Sequence, residues 1–391
     1  MSAALPTLQF QSRPGLIDLA WGHPDPALLP VAALRAAAET ALAHYGPEAL
    51  AYGAPAGPGP LRAWLRDYLA QTEDRPLSGD EILITAGASE GLDQLCTLCT
   101  RPGDIVLVEA PSYHLAARIL RDHPVELVAV PADEQGLRVD AVAERCAALR
   151  RAGRPARLLY TIPTFNNPTG RSLSGERRRA LTALAAEAGL LIVEDDVYRA
   201  LAYDEPAPPS LWSLAPPGTV ARLGSFSKTL APGLRLGWLT ADAALVARLA
   251  DSGLRDSGGG VNHFTALVVA ALCAAGEYDA NVARLRLAYR ERRDALLAAL
   301  AEYLPAGTRW TRPGGGFFVW VTLPKGRDAS ALHAAAAAAG VGYLPGARFF
   351  LEAPQPETLR LAFTLFDAEP LAEAARRLGQ ALTPRPRPRP V

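Results

Sequence analysis

The sequence predicts an α/β protein in which a mostly parallel sheet covered by helices is followed by a smaller α+β domain. Three observations carry this prediction. Short apolar runs alternate with longer amphipathic ones, the order of strands feeding helices. The strand-like runs are apolar at consecutive positions rather than at every second one, so both their faces are buried, as in a parallel sheet under helices. The style changes after about Glu277, where a long helix leads into separate strands and helices. At 391 residues the chain also exceeds what one hydrophobic core usually supports, so two domains are expected.

In chain order, the predicted strands are Glu81–Thr85, Asp104–Ala110, Arg157–Ile162, Leu190–Asp195 and Val220–Ser225. Helices are predicted at Val139–Arg151 and Gly175–Ala188, the second opened by Ser174, whose hydroxyl can accept a bond from the first turn. This core runs from about Tyr45 to about Glu277. A long helix, Asn281–Tyr303, comes next. Then "GGGFFVWVTLP" reads as a strand after a glycine turn and "ASALHAAAAAAG" as a helix ending at Gly340. "TLRLAFTLF" is a further strand, and a final helix covers about Pro370–Leu382. The implied boundaries are an N-terminal arm with part of the small domain (1–44), a large domain (45–280), a small domain (281–383) and a disordered Pro-Arg tail (384–391). The tail "TPRPRPRPV" cannot form a helix and is expected as an extended, solvated, polyproline-like end.

Composition excludes several classes. Hydrophobic content of 49% and formal net charge of zero describe an ordinary globular protein with no electrostatic footprint for nucleic acid or an anionic membrane. No apolar run reaches transmembrane length, and "MSAALPTLQFQSRPG" lacks the parts of a signal peptide, so a cytoplasmic enzyme is the expectation. Four cysteines do not make a disulfide scaffold. Cys96 and Cys99 form a C-x-x-C, but inside a helix-like run with no second pair nearby. Two buried thiols on a core face are expected there, and no metal site.

In open α/β sheets, ligands bind at the carboxyl ends of the strands, and those ends are rich here. After "EILIT" comes "AGASEGL", a glycine turn into a helix whose N–H groups at Ala88 and Ser89 would point at an anion, with the Ser89 hydroxyl as a further donor. Gly87–Gly91 also matches the G-x-S-x-G elbow of serine hydrolases. That chemistry needs a later acid and a histidine at loop ends, whereas His263 and His333 fall in helix-like runs. After "RLLYTI" comes "PTFNNPTG", where Pro168 holds Asn167 out of the helical region. After "LLIVE" comes an acidic pair, costly at the end of an apolar strand unless something cationic meets it, or unless one member caps a helix. After "VARLG" comes "SFSKTLAPGLRLGW". The chain contains only two lysines, Lys228 and Lys325. Lys325, in "LPKGRD", suits a solvated surface. Lys228 follows directly on a buried strand, and a lysine can condense with an aldehyde where an arginine cannot.

Taken together, these motifs resemble those of the pyridoxal-phosphate enzymes of fold type I, aminotransferase class I/II, and most of all the subgroup of 2-aminoadipate and kynurenine aminotransferases. The similarity runs from "LAWGHPDPALLP" to "LRLAFTLF". It implies a seven-stranded, mostly parallel large-domain sheet. It also implies a pyridoxal 5'-phosphate cofactor and transfer of the amino group of an L-amino acid to a 2-oxo acid through a Lys228 Schiff base. The resemblance assigns Asp195, rather than Asp196, to the pyridine nitrogen. Asn167 and Tyr198 fall to the ring oxygen, and Ala88, Ser89, Ser225, Ser227 and Arg235 to the phosphate. Tyr113 stacks on the ring, and Gly22, Asn167 and Arg360 face the substrate, with Arg360 gripping its α-carboxylate. Tyr52 in "AYGAPAGPGPLR" matches the tyrosine that reaches the neighbour's phosphate, which implies a homodimer. Specialised enzymes of this kind use the same carbanion for elimination, γ-replacement or C–C bond formation, the alternative activity. Some transcription regulators carry the fold behind a DNA reader, but the stretch before Tyr45 has no recognition-helix pattern. Trp21, Glu90, His114 and Phe317 depart from the subgroup pattern. With zero net charge and an apolar "WGHPDPALLP", Phe317 tilts the expected substrate towards aromatic or long aliphatic amino acids.

Overall fold

The five predicted apolar runs become strands of one sheet in the computed structural model, which describes residues 7–9 and 13–382. The order across the sheet is Ile82–Thr85, Gly237–Thr240, Val220–Ser225, Leu191–Asp195, Ala156–Thr161, Ile105–Ala110, Glu126–Asp133 and Gly136–Leu137. The five strands from Val220–Ser225 to Glu126–Asp133 pair in parallel. Gly237–Thr240 runs antiparallel to both its neighbours, and Gly136–Leu137 folds back on Glu126–Asp133. Seven strands of four or more residues thus make the sheet, and a two-residue hairpin arm adds an eighth. Two of the seven were not individually read from sequence. Glu126–Asp133 is largely half-exposed and carries Pro131, so it lacks the apolar signature of its neighbours.

Alternate residues of each central strand enter different cores, because successive side chains point to opposite faces. Leu107, Leu159 and Ile192 pack on one face, and Val106, Val108, Leu158, Tyr160 and Val193 on the other. The helix Val31–Tyr45 contributes Ala37 and Ala41 to the first of these cores, so its packing partners are those of the large sheet. Gly175–Ala188 forms over the predicted span. Ser174 Oγ accepts the Arg177 N–H at 3.3 Å, and Gly189 closes the helix with φ of 67°. Val139–Arg151 is likewise a helix over its predicted span.

The second sheet is antiparallel, in the order Arg309–Trp310, Phe318–Thr322, Thr358–Ala362 and Leu344–Pro345. The strand in "TLRLAFTLF" is therefore shorter than its apolar run. The long helix spans Glu277–Tyr303, beginning ahead of Asn281 because Gly276, with φ of 76°, ends the preceding helix. It packs against Ala368–Leu382. That helix accepts Pro370 because the first turn needs no N–H there. Near the N-terminus, Ile17–Asp18 pairs in parallel with Val341–Gly342, tying the arm to the second unit. Cys96 is fully buried and Cys99 half-buried, both as free thiols. Among the described residues no single helix is long and apolar enough to cross a membrane. The Pro-Arg tail at 384–391 lies outside the described residues.

Candidate active site

The two carboxylates after Leu191–Asp195 have different surroundings. Asp196 Oδ2 accepts from Arg222 Nε at 2.9 Å, and Arg222 also meets Glu73 at 2.9 Å, with Arg199 on Glu73 at 2.7 Å. Asp196 is thus held in a buried ion network. Among the described residues no cation is in contact with Asp195. Its Oδ2 accepts the Tyr160 phenol at 2.6 Å, while Oδ1 is buried and has no hydrogen-bond partner. Burial pushes the Asp195 carboxyl up to about 6, against the Tyr160 hydrogen bond that favours the charged form. Neither carboxylate caps a helix with its side chain. Asp196 Oδ1 also lacks a hydrogen-bond partner, so what sets Asp195 apart is that, among the described residues, no cation is in contact with it.

Lys228 follows the neighbouring strand, and its Nζ donates to the Gly22 carbonyl at 3.2 Å. Burial lowers its amine to about 8, helped by the nearby Arg360 and Arg235 charges and opposed by Asp195. The Phe317 ring lies 5.4 Å from Nζ. Gly22 has no room for a side chain, since a Cβ would come within 2.5 Å of Phe318 Cζ. Arg360, from the second sheet, crosses to this centre. It donates from Nη1 to Asn167 Oδ1 at 2.8 Å and from Nη2 to the Ala20 carbonyl at 2.5 Å. Its Nε is buried without a partner, and Phe318 and Phe349 flank the guanidinium at 4.1 and 5.0 Å. Among the described residues no carboxylate forms an ion pair with Arg360, and burial lowers it to about 10. A buried guanidinium with only neutral partners is costly unless an anion visits it.

A second anion cradle forms beside Lys228. The helix Ala88–Cys99 begins after Gly87 with no side-chain cap, so the first-turn N–H groups of Ala88 and Ser89 lack intrahelical acceptors. Arg235 adopts a left-handed φ of 48° and donates to the Ala86 carbonyl at 3.0 Å. Gly87 has a φ of 95°, which disfavours any side chain, and a Cβ there would sit 2.8 Å from Arg235 Nη2 and push the guanidinium aside. Ser225 is buried, and its Oγ accepts the Ser227 N–H at 3.1 Å. Glu90, in the same first turn, accepts the Ala86 N–H at 3.2 Å and pairs with Arg255 at 3.0 Å.

Tyr113 and Tyr198 complete the cluster. Tyr198 is buried, shares a hydrogen bond with Asn167 and packs 5.3 Å from Phe317. Burial raises Tyr113, with Asp195 nearby adding to the effect. Asn167 precedes Pro168 through a cis peptide. Tyr52 is set apart from these residues, 89% exposed in the single chain. Phe317 is fully buried and packs on Tyr198 and Tyr289. His114 lies edge-on to Phe349, and burial lowers it to about 4. Trp21 Nε1 donates to Asp18 Oδ2 at 3.1 Å. The sequence reading passed over Tyr160, Phe318, Phe349 and His23, the last lowered by burial and by Lys228 and Arg360. Only Tyr160 left a signal, as the one aromatic residue in an otherwise largely aliphatic central strand.

The fold and this centre, a buried lysine between two candidate anion sites, define a class of enzymes acting on small amino compounds. A model of the family "Aminotransferase class I and II" matches residues 14–378, and the chain belongs to that family. It is 36% identical over 94% of its length to aromatic-amino-acid aminotransferase 1 of Thermococcus litoralis, covering 88% of that protein. It is 38% identical over 96% of its length to the 2-aminoadipate transaminase of Thermus thermophilus, covering 92% of it. A structure of the Pyrococcus horikoshii kynurenine aminotransferase in complex with PMP superposes with a TM-score of 0.89. Its identity is 35%, and the match covers 94% of this chain and 90% of that one. The protein is a pyridoxal-phosphate-dependent aminotransferase, with amino and 2-oxo acids as substrates. Elimination, replacement and bond-forming chemistry find no support among these relatives.

Proposed function

We propose that this chain transfers the amino group of an aromatic or long aliphatic L-amino acid to a 2-oxo acid, and that Lys228, Asp195 and Tyr198 are its catalytic residues. The observation that carries this reading is a buried lysine between two unmet demands, the free Oδ1 of Asp195 and the unpartnered Nε of Arg360. The residues present fit pyridoxal phosphate. The orphaned carboxylate oxygen suits a protonated ring nitrogen. The Gly87 cradle, with Ala88, Ser89, Ser225, Ser227 and Arg235, suits a phosphate dianion. When bound, the cofactor supplies an electron sink for negative charge at the substrate Cα.

The chain's own groups do the rest. Arg360 holds the substrate α-carboxylate with its planar fork, kept in place by Asn167 and the two phenyl rings. Lys228 Nζ is placed to remove the Cα proton and would return it two atoms further along the conjugated system, across the imine nitrogen, a task suited to an amine with a proton affinity near neutrality. Asn167 and Tyr198 bind the ring oxygen, Tyr113 covers the ring, and Gly22 leaves space for substrate. Phe318 and Phe349 make the substrate side of Arg360 aromatic. The named activities of two of the three relatives, on aromatic amino acids and on kynurenine, also support large aromatic donors, whereas 2-aminoadipate is a long donor with an acidic side chain. We further place Tyr52 across a homodimer interface, supported by its exposure. The large and small domains are delimited at 45–280 and 281–383, and the enzyme is placed in the cytoplasm, with its four free cysteines in support.

The test is a single turnover of the loaded enzyme against a panel of amino acids with no acceptor present. Conversion of bound pyridoxal phosphate to pyridoxamine phosphate, with one equivalent of 2-oxo acid and fastest for aromatic or long aliphatic donors, is the expected result. Preference for short or acidic donors would overturn the substrate assignment.

A further inference from the structure

We propose that Tyr160 is a positioning residue that keeps a proton on the cofactor's ring nitrogen by holding Asp195 as its carboxylate. The inference rests on the reading of Asp195 as the ring-nitrogen partner and adds a residue that this reading does not contain. Tyr160 lies in the central strand Ala156–Thr161 and pairs in register with Val193. Side chains alternate along a strand, so Val193 and Asp195 share a face, and the Tyr160 ring stands on that same side. Its hydroxyl donates to Asp195 Oδ2 at 2.6 Å, and the ring is fully buried. One carboxylate oxygen is therefore satisfied from within the sheet, and the other is left for a ligand.

The surrounding charges make this bond consequential. Asp195 is faced by Asp196 on its own strand end, by Tyr160 from the next strand, by Lys228 from the following loop, and by Tyr113 and Tyr198. Burial and Asp196 both favour the protonated acid; the Tyr160 hydroxyl opposes them most, followed by the Val197 N–H and the charge of Lys228. Asp196 cannot take over, because Arg222 holds it. Tyr160 cannot act as the acid, because burial and the adjacent carboxylate keep its proton in place. When a ring nitrogen meets Oδ1, a single proton is shared between that nitrogen and that oxygen. The phenol stabilises the carboxylate and so leaves the proton on nitrogen. Without it, the proton passes from nitrogen to Oδ1, no other bond changes, and the ring loses its positive charge.

The experiment uses holoenzyme loaded with pyridoxal phosphate labelled with nitrogen-15 in the ring, whose chemical shift reports ring protonation across a pH titration. In Tyr160→Phe the ratio of protonated to neutral nitrogen is expected to fall about 10- to 100-fold, the value of a hydrogen bond to a charged group. kcat should fall with it while KM for the donor changes little. A Tyr160→Phe enzyme with wild-type shifts and kcat would overturn the proposal. Asp195→Asn is the separate control. If it keeps the nitrogen protonated, the Asp195 reading itself fails; if it loses the proton while Tyr160→Phe does not, only Tyr160 is excluded. Should Tyr160→Phe fail to fold, Tyr160→3,5-difluorotyrosine keeps the shape and strengthens the donor. Ring protonation must then persist to higher pH, and an unchanged titration would count against the role.

Discussion

At Lys228 two physical effects act in the same direction. Removal from water and the nearby arginines both disfavour the ammonium, so the neutral amine predominates above about pH 8 instead of above its ordinary value of 10.5. Because only the neutral amine attacks an aldehyde, capture of pyridoxal phosphate by the apoenzyme should speed up with rising pH with a midpoint near 8. Stopped-flow absorbance across pH checks this, and a midpoint above 10 would refute it. Gly22 tests the substrate side. In Gly22→Ala the new methyl meets Phe318, which stacks on Arg360. KM for both amino donor and 2-oxo acid should rise roughly tenfold, at an overpacking cost of about 1–3 kcal/mol, with cofactor binding kept. Steady-state kinetics beside a cofactor titration separate the two. At this scale Lys228 was legible in sequence because its chemistry is unavailable to the arginines that fill the rest of the chain. The Gly22–Phe318 contact was not, because those residues are distant in the chain.

The elements were legible where local rules govern them. Gly175–Ala188 has its cap at Ser174 and its stop at Gly189, both local signals. Asp195 and Asp196 show the limit. They are adjacent in sequence, yet one joins a network through Arg222 on the neighbouring strand and the other meets Tyr160 on the strand opposite. Arg222 therefore supports the element that leads into Lys228. Arg222→Met leaves Asp196 and Glu73 buried without that cation and should destabilise the protein by about 3–5 kcal/mol. Urea unfolding of the apoenzyme measures the loss, and a change within error of zero would mean that Arg199 alone neutralises the pair.

Across the whole molecule, Arg360 from the small sheet bonds Asn167 from the large one, and Lys228 bonds Gly22 of the arm, so the centre exists only when the parts meet. The proposal that Tyr52, largely exposed in one chain, serves a second copy would extend this logic to a dimer. Tyr52→Ala and Lys228→Ala should each be impaired, the second by about 10²–10⁴-fold or more. After the two variants are mixed and their subunits exchange, activity should reappear, because one site of each mixed dimer then carries neither change. No recovery, with mixed dimers confirmed by mass spectrometry, would place Tyr52 within its own site. The sequence by itself determined the strand–helix alternation, the strand ends that carry chemistry and the one lysine suited to it, because periodicity, turns and side-chain reactivity are local properties. Only the tertiary structure decided which aspartate is paired with an arginine and which is not, which arginine lacks a counter-charge and which tyrosine stands behind the carboxylate. Burial and hydrogen-bond partnership are properties of neighbours in space, and these neighbours lie far apart along the chain.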